Sequence, residues 1–246
     1  MATPAENIDL VRRAPTQIRN EGNPEAGEIG KGDIRREGRM PDAVLTASAI
    51  AKAYRRRAVL RGVDLRLAPG TLVGIVGENG AGKSTLLRIL AGDLAPDRGT
   101  LRLRGALGYC PQGAVLNDAL TVAQHLDYFR AAYRLPTLRR ADELLERLNL
   151  ERYRQAVVGT LSGGTKQKLN LTLALMHRPT VLLLDEPYQG FDWETYLRFW
   201  DLAAGIRDEG GAVLVISHLF FDRERFDRLY QLKDGVLAEE SKKGAR

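Results

Sequence analysis

A chain of 246 residues suffices for one α/β domain with a small insert and is too short for two full domains. With 44% hydrophobic and 28% charged residues it has a globular balance, and no apolar run nears the ~20 residues that span a bilayer, which excludes a membrane-crossing segment. The single cysteine, Cys110, excludes an internal disulfide and, with an N-terminus lacking an apolar signal core, favours a reducing cytoplasmic setting; the net charge of +6 suits nucleic acid or anionic lipid and selects neither.

Residues 1–42 mix Pro, Gly, Glu and Arg without apolar periodicity, and a composition of this kind cannot bury enough surface to offset ordering. A flexible tail is expected there, with the folded domain over 43–246. The domain opens with the β-branched run AVLTASAI (Ala43 to Ile50), and VDLRLAPG (Val63 to Gly70) alternates as a half-buried strand does before a turn. TLVGIVG (Thr71 to Gly77) is nearly all apolar, the pattern of a buried parallel strand. Lys83 to Ala91 reads as a helix, and LRLRG and ALGYC as short strands broken at Gly105. From Thr121 the period becomes helical, first in TVAQHLDYFRAAYRL and then in LRRADELLERLNL, where Leu138, Ala141, Leu144, Leu145 and Leu148 share one side. A helical insert over about 113–175 follows, closed by a helix that LSGG begins and that runs to His177. Next come a strand at VLLLD (Val181 to Asp185), a helix from Asp192 to Asp208, a strand at AVLVISH (Ala212 to His218) and a hairpin around Asp234-Gly235. The alternation predicts a mainly parallel sheet with helices on both faces.

Chemistry-bearing residues gather at the ends of these runs. GIVGENGAGKST (Gly74 to Thr85) matches a phosphate-binding pattern at Gly77, Gly82, Lys83 and Ser84. Glycines let backbone N–H groups turn toward phosphates, Lys83 brings a mobile charge, and Ser84 brings a hydroxyl for Mg²⁺. VLLLDEP sets two carboxylates at the edge where open parallel sheets bind ligands, Asp185 to hold a metal and Glu186 to orient and deprotonate a water. Such a pair also serves as a helix cap or loop start, and the upstream glycine loop favours the chemical reading. His218 would lie near the terminal phosphate if its strand neighbours VLLLD; a structural histidine is the alternative. Gln112 in YCPQG offers an amide to a metal or a water, or is a polar loop residue. The run Arg55 to Arg57 reads as a solvated surface, with contact to a phosphate or a lipid headgroup as the alternative. LSGGTKQKL (Leu161 to Leu169) is a second helix start rich in small residues, and so a second anion site.

In this order GENGAGKST, YCPQ, LSGGTKQKL, VLLLDEP and ISH closely resemble the nucleotide-binding subunit of the ATP-binding-cassette (ABC) transporter family, over residues 43 to about 240. The LSGG start just ahead of an acidic strand is the discriminating part. The resemblance implies a P-loop NTPase-type α/β fold: a mainly parallel sheet, an antiparallel β part and a helical insert carrying the signature motif. ATP would bind at Gly77, Glu78, Asn79, Gly80, Ala81, Gly82, Lys83, Ser84 and Thr85, with Tyr54 stacking on the adenine. Mg²⁺ would be held by Ser84, Gln112 and Asp185, and hydrolysis carried by Glu186, His218 and Gln112. Ser162, Gly163 and Gly164 would face the ATP of a second subunit in a head-to-tail homodimer, and Asp192 would belong to the loop that crosses that interface.

Two departures from the family pattern stand out. Thr165 occupies a position where many members have Gln, and Phe191 and Trp193 flank Asp192 where Leu and Pro are more usual. Neither touches the catalytic set. The function implied is an ATP-hydrolysing subunit at the cytoplasmic face of the cell membrane, powering transport, export rather than import, through separate integral-membrane permease subunits, with no nucleic acid as partner. The alternative is a soluble member acting on nucleic acid or the translation machinery. It is disfavoured because neither a sustained heptad pattern nor an internal repeat is visible.

Overall fold

The computed structural model describes residues 42–240 apart from 56, 114–115 and 219–221, so the tail expected over 1–42 lies, but for Asp42, outside the described residues. Strands β1 (Leu45–Tyr54), β2 (Arg57–Leu67) and β4 (Arg98–Leu103) form an antiparallel sheet in the order β2-β1-β4. A second sheet contains β3 (Thr71–Val76), β5 (Leu107–Cys110), β6 (Val181–Asp185), β7 (Ala212–Ser217), β8 (Arg228–Lys233) and β9 (Val236–Glu239). Its order is β5-β6-β7-β3-β8-β9, parallel except for β9. This is the fold the motifs imply.

The two short strands expected in succession around Gly105 part company, β4 joining the antiparallel sheet and β5 the edge of the parallel one. Gly105, at φ 89, makes the transfer possible: a Cβ there would stand 2.3 Å from Oγ1 of Thr180, at the entry to β6. The closing hairpin turns at Asp234 (φ 49) and Gly235 (φ 78), the paired left-handed conformations that match strand twist. Gly235 then accepts a hydrogen bond from Arg61 N at 2.8 Å, tying the hairpin to β2.

Strands β6 and β7 are buried at every position, which explains their unbroken apolar sequences. Their side chains still alternate between two cores. Val181, Leu183, Leu214 and Ile216 meet Leu86 and Leu90 of α1 (Lys83–Leu90) and the antiparallel sheet through Leu45, Ile50 and Leu65. Leu182, Leu184, Val213 and Val215 point the other way, into the core shared with the remaining helices. Those helices are α2 (Val122–Ala132), α3 (Arg139–Arg147), α4 (Gly163–Leu175) and α5 (Trp193–Asp208). Thr121 starts α2 with a capping box to Gln124, and α3 buries Ala141, Leu144 and Leu145, the side picked out by its spacing. Each fully buried Leu is worth roughly 1.5–3 kcal/mol relative to exposure, so the sheet is stabilised from both faces. Among the described residues no helix is long and apolar enough to cross a membrane.

Candidate functional site

Strand register brings four chain segments to one edge. Val76 of β3 pairs with Ser217 of β7, Asp185 of β6 with Ile216 of β7, and Cys110 of β5 with Leu184 of β6. The glycine loop, His218, Glu186 and Gln112 therefore all leave the sheet at its C-terminal edge, where ligands of open parallel sheets sit. Cys110 itself is a buried small residue, its thiol pushed well above the ordinary value by burial.

The loop's glycines answer to packing as well as to phosphate. A Cβ on Gly77 would stand 2.5 Å from the carbonyl oxygen of Leu232, and one on Gly82 (φ +102) 2.9 Å from Cγ1 of Val59. Gly80 (φ +81) faces open space. Lys83 is 7% exposed, and its Nζ donates to the carbonyls of Gly77 at 2.6 Å and Glu78 at 3.0 Å, so the ammonium is held against the loop it would serve. Gly82 starts α1 without a side-chain cap hydrogen bond, and a glycine-led helix start of this kind is ordinary chemistry for an anion site.

Asp185 is 4% exposed; burial raises its carboxyl above the usual range, a hydrogen bond with the Ser84 side chain opposes the rise, and the neighbouring Glu186 adds to it. A hydroxyl and a buried carboxylate are hard oxygen donors, and among the described residues no group of three or more His, Cys, Asp or Glu side chains is arranged to hold a metal ion by itself. That donor set fits Mg²⁺, which takes one or two carboxylates and completes its shell with water and phosphate.

Glu186 is 7% exposed and has φ 46, the left-handed region that non-glycine residues seldom enter. Its N–H donates to Ile216 O at 2.9 Å, which turns the chain off the sheet at that point. Oε2 accepts the side-chain amide of Gln112 at 3.0 Å and also that of Gln189, while Oε1 lies 3.3 Å from Nδ1 of the largely exposed His218. Three of these four residues follow from strand-end patterns. Gln189 does not; its only trace in the sequence is an amide three residues beyond the acid, ahead of a glycine.

The turn after β6 is firmly anchored. The ring of Tyr188 lies 5.4 Å from Tyr196, 5.7 Å from Phe199 and 6.0 Å from Trp200, and its hydroxyl, hydrogen-bonded with Ser217, is pushed up to about 12 by burial. Gly190 rests against the start of α4: a Cβ on Gly164 would meet Gly190 O at 2.2 Å. Gly163, in contrast, has nothing within 4 Å of its Cβ position. Ser162 caps α4, accepting from Thr165 N at 3.2 Å, and the Thr165 hydroxyl lies 2.8 Å from Ser162 Oγ, so the unusual threonine serves its own helix start. Asp192 caps α5 by accepting from Thr195 N at 2.8 Å, which holds its carboxyl below the usual range. Trp193 is 70% exposed and stacks on Tyr196. Tyr54 closes β1, exposed and close enough to Arg88 of α1 to interact electrostatically; Arg56 of the arginine run lies outside the described residues.

A family model described as ABC transporter matches residues 60–189. Nod factor export ATP-binding protein I of Paraburkholderia xenovorans is 34% identical over 212 residues, 80% of this chain and 70% of that protein. Zinc import ATP-binding protein ZnuC of Alcanivorax borkumensis is 39% identical over 184 residues, 73% of this chain and 70% of that one. ABC transporter G family member 20 of Dictyostelium discoideum is 29% identical over 205 residues, and the chain spans 28% of its length. Among solved structures, a dimeric bacterial ABC transporter cassette superposes with a TM-score of 0.74 at 26% identity, over 82% of this chain and 100% of that one.

Proposed function

Because this chain belongs to the ABC transporter family, as an ATP-binding subunit with the cassette fold, we propose that it hydrolyses ATP with Mg²⁺ and drives export through separate integral-membrane permease subunits. The observation that carries this reading is the convergence of three strand ends, those of β5, β6 and β7, on the Glu186 carboxylate, with Gln112 and His218 both within hydrogen-bonding reach of it.

In this mechanism the loop from Gly77 to Thr85 cradles the phosphates with backbone N–H groups, and Lys83 exchanges loop carbonyls for phosphate oxygens. Ser84 and Asp185, with Gln112, hold the Mg²⁺, which supplies charge neutralisation on the phosphate oxygens. Glu186 takes the proton of the attacking water, and His218 stands at its Oε1 on the open side of the site. Tyr54 stacks on the adenine.

Gly163 explains the second anion site. Its open Cβ position leaves the backbone at the start of α4 free to approach a phosphate of another subunit, so two chains pair head to tail around two ATP molecules. A helix N-terminus stabilises an anion by only ~0.3–1 kcal/mol when exposed and by more once water is excluded, which makes the contact effective on closure of the pair.

Export is supported by the wording of LSGGTKQKL and by likeness to a Nod factor export protein; likeness to a zinc import protein makes import the competing outcome. The test is affinity purification of the tagged chain from detergent-solubilised native membranes. A stoichiometric polytopic membrane protein is expected. Recovery only from the soluble fraction, with nucleic acid that salt removes, would contradict the proposal.

A further inference from the structure

The Glu186 carboxylate has two amides on one oxygen and an exposed imidazole at the other. Gln112 arrives from the segment after β5 and Gln189 from the turn after β6. Gln112 is also a ligand in the metal set proposed above, so its amide has a second task once nucleotide and cation bind. Gln189 has no such task. Its backbone N–H closes a turn on Glu186 O at 3.3 Å, and Phe191 N closes another on Tyr188 O at 3.1 Å, so the acid and the amide three residues later are set side by side. The ring contacts of Tyr188 and the seat of Gly190 on Gly164 hold that turn from both ends. The left-handed backbone at Glu186 makes the arrangement necessary: the residue has left the strand, and the strand no longer dictates where its carboxylate points.

We propose that Gln189 is a positioning residue for hydrolysis, its side-chain amide holding Oε2 of Glu186 so that Oε1 stays directed to the open side of the site, where water enters. The proposal rests on the reading of Glu186 as the base. It predicts an effect on turnover without an effect on nucleotide binding, because Gln189 acts only on the carboxylate.

The test compares single-turnover and steady-state ATP hydrolysis by the full chain for the parent, Gln189→Ala, Gln189→Met, Glu186→Gln and the double variant Glu186→Gln/Gln189→Ala, together with ATP affinity and thermal unfolding. Gln189→Met keeps the side-chain length and loses only the amide. Both Gln189 variants are expected to lower kcat about tenfold, the scale of one lost hydrogen bond to a charged group, with KM and ATP affinity within about twofold and unfolding unchanged. On the Glu186→Gln background the same substitution is expected to change the residual rate by less than about twofold, since the group it orients is gone. Parent-like kcat in both Gln189 variants, or an equal tenfold loss on the Glu186→Gln background, would overturn the positioning role while leaving Glu186 as base. Parent-like turnover in Glu186→Gln would instead overturn the reading of Glu186, and the role of Gln189 with it.

Discussion

Gly163 and Gly164 are adjacent, yet only the second is demanded by the chain's own packing. A methyl on Gly164 collides with Gly190 O, whereas one on Gly163 meets nothing. Gly164→Ala is therefore expected to push the turn bearing Gln189 away from α4 and to destabilise the chain by about 1–3 kcal/mol, the usual cost of overpacking. Gly163→Ala is expected to leave unfolding within about 0.5 kcal/mol of the parent and to impair ATP-driven pairing. Denaturant unfolding of the two variants checks the first contrast, and equal stability losses would contradict it. At this scale Gln112, Asp185, Glu186 and His218 were legible in the sequence because each directly ends or closely follows an apolar run, and a parallel sheet gathers such ends. Gln189 was not legible, since its approach to Glu186 depends on a left-handed residue that no local pattern announces. Nor was the packing role of Gly77 and Gly82 against Leu232 and Val59, which are remote or differently placed in sequence.

Two histidines, one on α2 and one just beyond α4, are held by hydrogen bonds to the backbone. His125 of α2 is 3% exposed, donates through Nδ1 to Thr121 O at 3.0 Å and accepts Asn117 N–H on Nε2 at 3.0 Å. Protonation would destroy that acceptor. His177, beyond α4, donates through Nε2 to Leu107 O at 3.0 Å and stacks on Tyr133 at 4.1 Å. Burial lowers both folded pKa values beneath the ordinary ~6.5. The stability these residues contribute is thus fully present above about pH 6.5 and is lost as pH falls toward the lowered folded values. Denaturant midpoints are expected to drop between pH 7 and pH 5, and the variant His125→Gln/His177→Phe is expected to show a shallower drop; an unchanged slope would contradict the assignment. Helices and buried strands were legible here, because three-to-four spacing and unbroken apolar runs are local signals. The separation of β4 from β5 into different sheets was not, since it is decided by the close crossing of Gly105 over Thr180.

Over the whole molecule, the mainly parallel sheet and its helical cover could be expected from the alternation of elements, while the order β5-β6-β7-β3-β8-β9 could not, because nothing local tells a strand which neighbour it will take. That order nonetheless makes the site: β3 beside β7 and β7 beside β6 place the glycine loop, His218 and Glu186 in succession along one edge. The start of α4 is a separate small-residue helix start resting on the turn after β6, and it offers an open glycine to the outside. Under the function proposed above, one chain would carry two anion-binding surfaces, which a head-to-tail pair would use together. The decisive measurement is the mass of full-length Glu186→Gln by size exclusion with light scattering, with and without saturating ATP and Mg²⁺. A monomer without nucleotide and a dimer retaining ATP are expected; a monomer that has bound ATP would contradict the shared site.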